Sequence, residues 1–231
     1  MPELYLVRHA QASFATEDYD RLSETGQQQA IYLGEYFRER NISFDQVVSG
    51  DMHRHKQTLE GMARAMEDES FLDYKICPGF NEYDFAALVA AYGRQYPEDE
   101  LYQTSSWENG DKKQFYRLLA QVLRVWQEVG LPGVPETWQE YQERIQKEID
   151  LLKQSTNSGS RVLVMSSGGP ISAFIGLVLD ASAEKVIDLN LQTRNSGISH
   201  FFYNKEKMHL HEFNAIPHLQ GTQRAELITY G

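Results

Sequence analysis

An arginine and a histidine close a short apolar run near the start of the chain, Leu4-Tyr5-Leu6-Val7-Arg8-His9. An imidazole can serve as nucleophile, general base or metal ligand, and a guanidinium is a fork for carboxylate or phosphate. In isolation the pair reads equally well as a capped strand end with a salt bridge. Three other segments carry residues of related chemistry. Arg54 lies in the first turn of a helical pattern after Val47-Val48-Ser49-Gly50. Glu82 follows the turn Pro78-Gly79-Phe80-Asn81, where a single glutamate is ordinarily solvated. Ser166-Ser167-Gly168-Gly169-Pro170 is a tight turn into a helix, and helix N-termini attract anions.

These residues matter only if the fold brings them together. The apolar run 4–7 reads as a buried strand, as do 45–48, 73–77 and 161–165. Thr25 and Gln28 form a capping pattern ahead of Ala30, Leu33 and Phe37, which predicts a helix over 26–40. Leu59, Met62, Ala63 and Met66 predict a second helix over 52–67. From about residue 84 to 150 helical patterns dominate, with Trp107, Trp126 and Trp138, and with Gly110, Pro132-Gly133 and Pro135 as punctuation. That stretch reads as a helical insertion, a lid, within a single domain spanning 1–231. A helix running to about 180 follows the Ser167 turn. Segments 198–203 and 207–213 predict a hairpin about Asn204-Lys205-Glu206. Strands alternating with helices indicate an α/β protein: a three-layer α/β/α sandwich with a largely parallel central sheet. Ligands of such sheets bind outside the carboxyl ends of the strands, where Arg8-His9 and Ser166-Ser167-Gly168 both fall.

Composition narrows the partners. The 231 residues are 41% hydrophobic, enough for one sizeable core. A formal net charge of −11 argues against nucleic acid or an anionic membrane, since both need a basic face. A phosphate substrate would then need a locally positive pocket in an acidic protein. One cysteine, Cys77, cannot form an internal disulfide, which suits a reducing, cytoplasmic setting. The first residues do not read as a signal peptide, and no apolar run is long enough for a membrane span.

Taken in order, the segments resemble the histidine phosphatase superfamily, the phosphoglycerate-mutase-like proteins. Residues 4–11 resemble the family's strand plus Arg-His-Gly, and 20–30 its first helix entry. Gly50-Asp51-Met52-His53-Arg54-His55-Lys56-Gln57-Thr58 resembles its Ser-x-x-x-Arg-x-x-Gln-Thr segment. Residues 162–169 resemble the strand that normally ends in Ser-His-Gly-Gly, and 213–219 a late family segment. The resemblance implies a metal-independent phosphomonoester hydrolase, without a cofactor, acting on a phosphorylated small molecule. It gives His9 the role of nucleophile, forming a phosphohistidine while its other ring nitrogen donates to a carbonyl. Glu82 becomes the acid for the leaving group and then the base for water. Arg8 and Arg54 hold the phosphoryl oxygens, helped by Ser167, Gly168 and Ser13. A homodimer is compatible with the sequence, which leaves the oligomeric state open.

The sequence also departs from the family. Ser167 stands where a second histidine is usual, Ala10 replaces a glycine, and Ala15 sits where many members have asparagine. Serine can donate one hydrogen bond but brings no charge. Two readings follow: a working pocket with Ser167 and the amides of Gly168 and Gly169 around the phosphate, or an impaired member that binds or senses a phosphorylated ligand. A mutase lacks support from the altered pocket. A serine-nucleophile elbow lacks the small residue expected at Met165. His53 and His55 lie two apart and point in different directions, one of them edging the pocket. Gln57-Thr58 alone would be a helix face. His209 and His211 share a strand face better explained by exposure than by metal, and His218 packs near the C-terminus. Tyr83, Phe85, Trp107 and Trp126 are candidates for a substrate mouth, with packing as their default role.

Overall fold

The computed structural model describes residues 1–13, 20–105, 112–155 and 157–230; Ala15 and Trp107 lie outside them. Among the described residues six strands form one sheet: β1 (Glu3–Arg8), β2 (Gln46–Ser49), β3 (Lys75–Ile76), β4 (Arg161–Ser166), β5 (Ile198–Tyr203) and β6 (Met208–Ala215). Their order is β3-β2-β4-β1-β5-β6. The first four run parallel, while β5 and β6 form an antiparallel hairpin against β1. The third strand is shorter than the expected 73–77, because Pro78 starts a 3-10 turn over Pro78–Phe80; the Cys77 amide still donates to Ser49 O at 2.7 Å, but its carbonyl turns to accept the Phe80 amide at 3.0 Å.

Alternation along the strands sends side chains to two helical layers. Tyr5, Val7, Leu163 and Met165 pack with Leu33 and Phe37 of α1 (Glu24–Glu39) and with Leu59 and Met62 of α2 (His53–Met66). Leu4, Leu6, Val162 and Val164 face the other way. They share a cluster with residues of α3 (Phe85–Gln95), α5 (Lys112–Glu128), α6 (Trp138–Ser155), α7 (Gly168–Val178) and α8 (Ala183–Asn190), while the short α4 (Glu100–Thr104) lies at its margin. Much of the helical insertion is therefore one wall of the sandwich. Both sheet faces are covered, so the strands read as unbroken apolar runs.

Helix α1 begins two residues before the expected start. Ser23 is its cap, accepting the Gly26 amide at 3.0 Å, and Thr25 lies inside the first turn. No helix among the described residues is long and apolar enough to cross a membrane.

Candidate active site

Register places the chemistry. Arg8 of β1 lies level with Ser166 of β4, and Val7 with Ile198 of β5. Four parallel strands thus present their carboxyl ends at one sheet edge. His9 follows β1, Arg54 follows β2, Glu82 follows β3, and Ser167 follows β4. The backbone at His9 is pinned on both sides: its amide donates to Ser166 O at 2.9 Å, and its carbonyl accepts from the Ser196 amide at 3.1 Å.

The His9 ring is buried, with Nδ1 2.7 Å from Ala10 O and Nε2 3.1 Å from Arg54 Nε. A guanidinium nitrogen can only donate, so Nε2 must be the acceptor and the ring proton sits on Nδ1, bonded to the Ala10 carbonyl. This is the carbonyl anchor expected from the resemblance. Burial, then Arg54, Arg8 and His55, hold the ring's pKa well below the usual value. His9 is a neutral imidazole with its lone pair aimed at Arg54.

Arg54 is fixed by a residue the sequence reading did not single out. The position before α2 is Met52, which offers no capping group. Asp20 supplies one from the strap ahead of α1: its carboxylate accepts the His53 amide at 2.7 Å and pairs with Arg54 Nη1 at 2.7 Å. A helix start with an apolar N-cap was the available signal that an external carboxylate had to be found. Gln57 and Thr58, read as a helix face, instead tie α2 to this strap and to β1. Gln57 Oε1 accepts the Leu22 amide at 2.8 Å, and Thr58 Oγ1 accepts the Ala10 amide at 3.1 Å.

Arg8 is buried and donates through Nη1 to Thr193 O at 2.6 Å and to Thr193 Oγ1 at 2.9 Å. Its guanidinium lies against Gly168. Two buried arginines at one strand edge answer the charge problem of an acidic chain.

The Glu82 carboxyl accepts the Gly169 amide at 3.2 Å and the Tyr83 amide at 3.3 Å. Burial raises its pKa, and outweighs the opposing pull of Arg54, the Gly169 amide and Arg8. A β-carbon on Gly169 would overlap this carboxyl and the Tyr83 ring, so the close approach needs glycine. The Gly169 amide, expected to help cradle phosphate, is thus engaged by Glu82.

Ser167 precedes α7 and is fully buried, yet its hydroxyl does not cap the helix. It lies 2.7 Å from Nε2 of His55 and 3.4 Å from Nη2 of Arg54. His55 is fully buried, with its ring centroid 5.6 Å from that of His9. Burial and then Arg54 push its pKa down to about 3. So His55 is the histidine that edges the pocket, while His53 is exposed and contributes its amide to Asp20. Nothing in the spacing alone separated the two.

The remaining candidates disperse. Ser13 is held through its amide to Arg21 O at 2.7 Å, and no described contact brings its side chain to the cluster. His209 and His211 are exposed on β6, and no group of three potential metal ligands occurs among the described residues. Trp126 is buried, with Nε1 bonded to Glu136 O at 3.1 Å and its ring packed on Tyr83, Trp138 and Tyr141. It is core.

His218 is buried against Ser196 Oγ at 2.8 Å, and burial followed by Arg224 lowers its pKa to about 3. The unfolded chain protonates each such histidine below about pH 6.5, while the fold does not, so stability falls with pH from there towards pH 3. We expect thermal melts to show this loss. His218→Gln, which lies outside the cluster, should flatten it by about 1.4 kcal/mol per pH unit. Parallel pH profiles for variant and wild type would contradict the assignment.

A family model described as the histidine phosphatase superfamily (branch 1) matches residues 4–216. A probable phosphoglycerate mutase GpmB from Salmonella typhi is 25% identical over 213 residues, covering 90% of this chain and 87% of that protein. A phosphoserine phosphatase from Entamoeba histolytica, solved with 3-phosphoglyceric acid, superposes with a TM-score of 0.62 at 22% identity, covering 95% of this chain and all (100%) of that one. A mycobacterial glucosyl-3-phosphoglycerate phosphatase solved with VO3 gives a TM-score of 0.63 at 18% identity, covering 92% of this chain and 98% of that one.

Proposed function

The chain belongs to the histidine phosphatase superfamily, and on that premise we propose that it is a metal-independent phosphomonoester hydrolase working through a phosphohistidine at His9. The observation that carries this is the state of the His9 ring: neutral, anchored at Nδ1 by Ala10 O, and presenting Nε2 to Arg54. Such a ring is set to attack an electrophile that arrives between it and the guanidinium.

In the first step the Nε2 lone pair forms a bond to phosphorus as the ester P–O bond breaks. Arg54 exchanges its bond to Nε2 for a phosphoryl oxygen, and Arg8 neutralises a second. These charges supply the field that a metal would otherwise give. Glu82, whose pKa burial raises, hands its proton to the departing alkoxide. The imidazolium charge is shared through Nδ1–H with Ala10 O. In the second step the Glu82 carboxylate takes a proton from water, water oxygen bonds to phosphorus, and the P–N electrons return to Nε2. Phosphate and alcohol are the products, and the enzyme is restored.

The substrate is a phosphorylated small molecule, and Cys77, the one thiol, fits a cytoplasmic protein. The relatives named above are a mutase and phosphatases of phosphorylated metabolites. A hydrolase suits this pocket because Glu82 can serve a water molecule as base. The alternative of a binding protein with little turnover rests on Ser167 standing where the family places a histidine. Hydrolysis of p-nitrophenyl phosphate in EDTA decides between them. We expect turnover that EDTA leaves unchanged, inhibition by vanadate, and an acid-labile phosphoryl group on His9 in quenched samples. Vanadate binding with no turnover on a broad panel of phosphate esters would establish the binding protein instead.

A further inference from the structure

Ser167 is an unusual serine. It is fully buried, sits where a helix cap belongs, and forgoes the cap. Its hydroxyl has one proton to give and two lone pairs to offer. Arg54 Nη2 can only donate, so it takes one lone pair. His55 Nε2, at 2.7 Å, is the second neighbour, and among the described residues no third partner meets this hydroxyl. What the serine does with its proton therefore depends on which nitrogen of His55 carries one.

The surroundings of His55 do not settle this alone. Nδ1 is buried beside Gly50 without a well-formed hydrogen bond, although the Gly50 backbone draws on the ring. A phosphoryl group in front of Ser167 settles it, because a dianion needs the serine to donate. With the proton on Nε2, His55 donates to Ser167. Both serine lone pairs are filled, by His55 and by Arg54, and its own proton points to the one space left. That space adjoins Nε2 of His9, since the same Arg54 guanidinium reaches His9 through Nε at 3.1 Å and Ser167 through Nη2 at 3.4 Å.

We propose that His55 is a positioning residue, whose Nε2–H holds the Ser167 hydroxyl so that it donates to the phosphoryl group carried on His9. The proposal rests on the phosphoryl-transfer reading of the site and deepens it, by assigning the donor that a serine alone would place poorly. The opposite tautomer would make Ser167 donate to His55 and turn a lone pair towards a dianion, so a bound phosphoryl group favours the same arrangement. Held neutral by burial, His55 acts by direction and not by charge.

The test is a double-mutant cycle read in two ways: the affinity for orthovanadate by calorimetry, and kcat and KM for p-nitrophenyl phosphate. Ser167→Ala and His55→Leu should each weaken vanadate binding and lower kcat roughly 10- to 100-fold, with KM moving less, as for loss of one transition-state donor. The double variant should be no worse than either single one, because both remove the same hydrogen bond. His55→Gln, whose amide N–H can reach the serine, should recover most of the loss. That rescue separates direction from mere packing, and Ser167→Ala guards against misfolding of the His55 variants. Three results would overturn the proposal: a folded His55→Leu as effective as wild type, additive losses in the double variant, or a fluorophosphonate or phosphoryl adduct on Ser167. The last would make His55 the base of a serine nucleophile. If the wild type shows no turnover at all, the hydrolase reading fails by itself, while the vanadate cycle still decides the role of His55.

Discussion

Replacing His9 with alanine is expected to lower kcat for any phosphomonoester by roughly 10⁴-fold or more, while inorganic phosphate still binds within about tenfold of wild type. The size follows from what is removed. Without a nucleophile in place the two-step route closes, and losses of that order or larger attend removal of nucleophiles in other covalent catalysts. Binding survives because Arg8 and Arg54 keep other anchors when the Arg54 Nε bond to His9 Nε2 is lost. Arg8 is held by Thr193 and Arg54 by Asp20. The fold should also survive, since the backbone at position 9 is fixed by Ser166 and Ser196 through main-chain bonds. The variant leaves a polar space that water can fill, and two arginines relieved of a buried ring. Stopped-flow hydrolysis with calorimetry on the same sample checks both halves. Residual turnover within tenfold of wild type would mean that phosphorus is attacked by something other than His9.

Glu82→Gln is expected to separate the two halves of the reaction. For an alkyl phosphate, whose leaving group needs a proton, kcat should fall by roughly 10²- to 10⁴-fold. For p-nitrophenyl phosphate the leaving group departs unassisted, so phosphorylation of His9 should proceed nearly at the native rate. Hydrolysis of the phosphohistidine still needs a base, and glutamine is none. A burst of p-nitrophenol equal to the enzyme present, then a slow steady state, is the expected trace. The pH profile follows from the direction of the shift. Burial raises the Glu82 pKa, so its acid form persists to higher pH than for an ordinary carboxyl. Native kcat/KM for alkyl phosphates should fall as pH rises through that raised value, and the descending limb should vanish in Glu82→Gln. Equal losses on both esters, with no burst, would remove Glu82 from the acid–base role.

Arg8, His9, Arg54 and Ser167 each lie at the end of an element whose period is visible in the sequence, while their roles, and that of Glu82 in its polar loop, come from the family resemblance. Arg8 and His9 end an apolar strand, Ser167 ends another, and Arg54 begins an amphipathic helix. A parallel sheet then does the gathering, because its carboxyl ends fall at one edge whatever lies between the strands. The parts that were not legible depend on which side chains meet across elements. Asp20 became identifiable only once Met52 was seen to leave α2 uncapped. His55 could be told from His53 only by the orientation of the helix, which buries one ring and exposes the other. The pattern with Gln28 predicts the cap of α1 at Thr25; Ser23 prevails because its hydroxyl also reaches Gln11, joining the cap to the segment after β1. Trp126 was a candidate for a substrate mouth, and the packing of α6 against it makes it core.

The position of β1 in the sheet sets the order in which this molecule can be made. This strand, which leads into His9, is flanked on one side by β4 and on the other by β5. Both follow the whole helical insertion. As the chain leaves the ribosome, Leu4-Tyr5-Leu6-Val7 therefore has no neighbours to pair with until most of the remaining sequence has been synthesised. Non-local pairing of this kind is slow and leaves an apolar segment exposed meanwhile. Truncation before β5 should therefore leave a chain that aggregates rather than a smaller folded one.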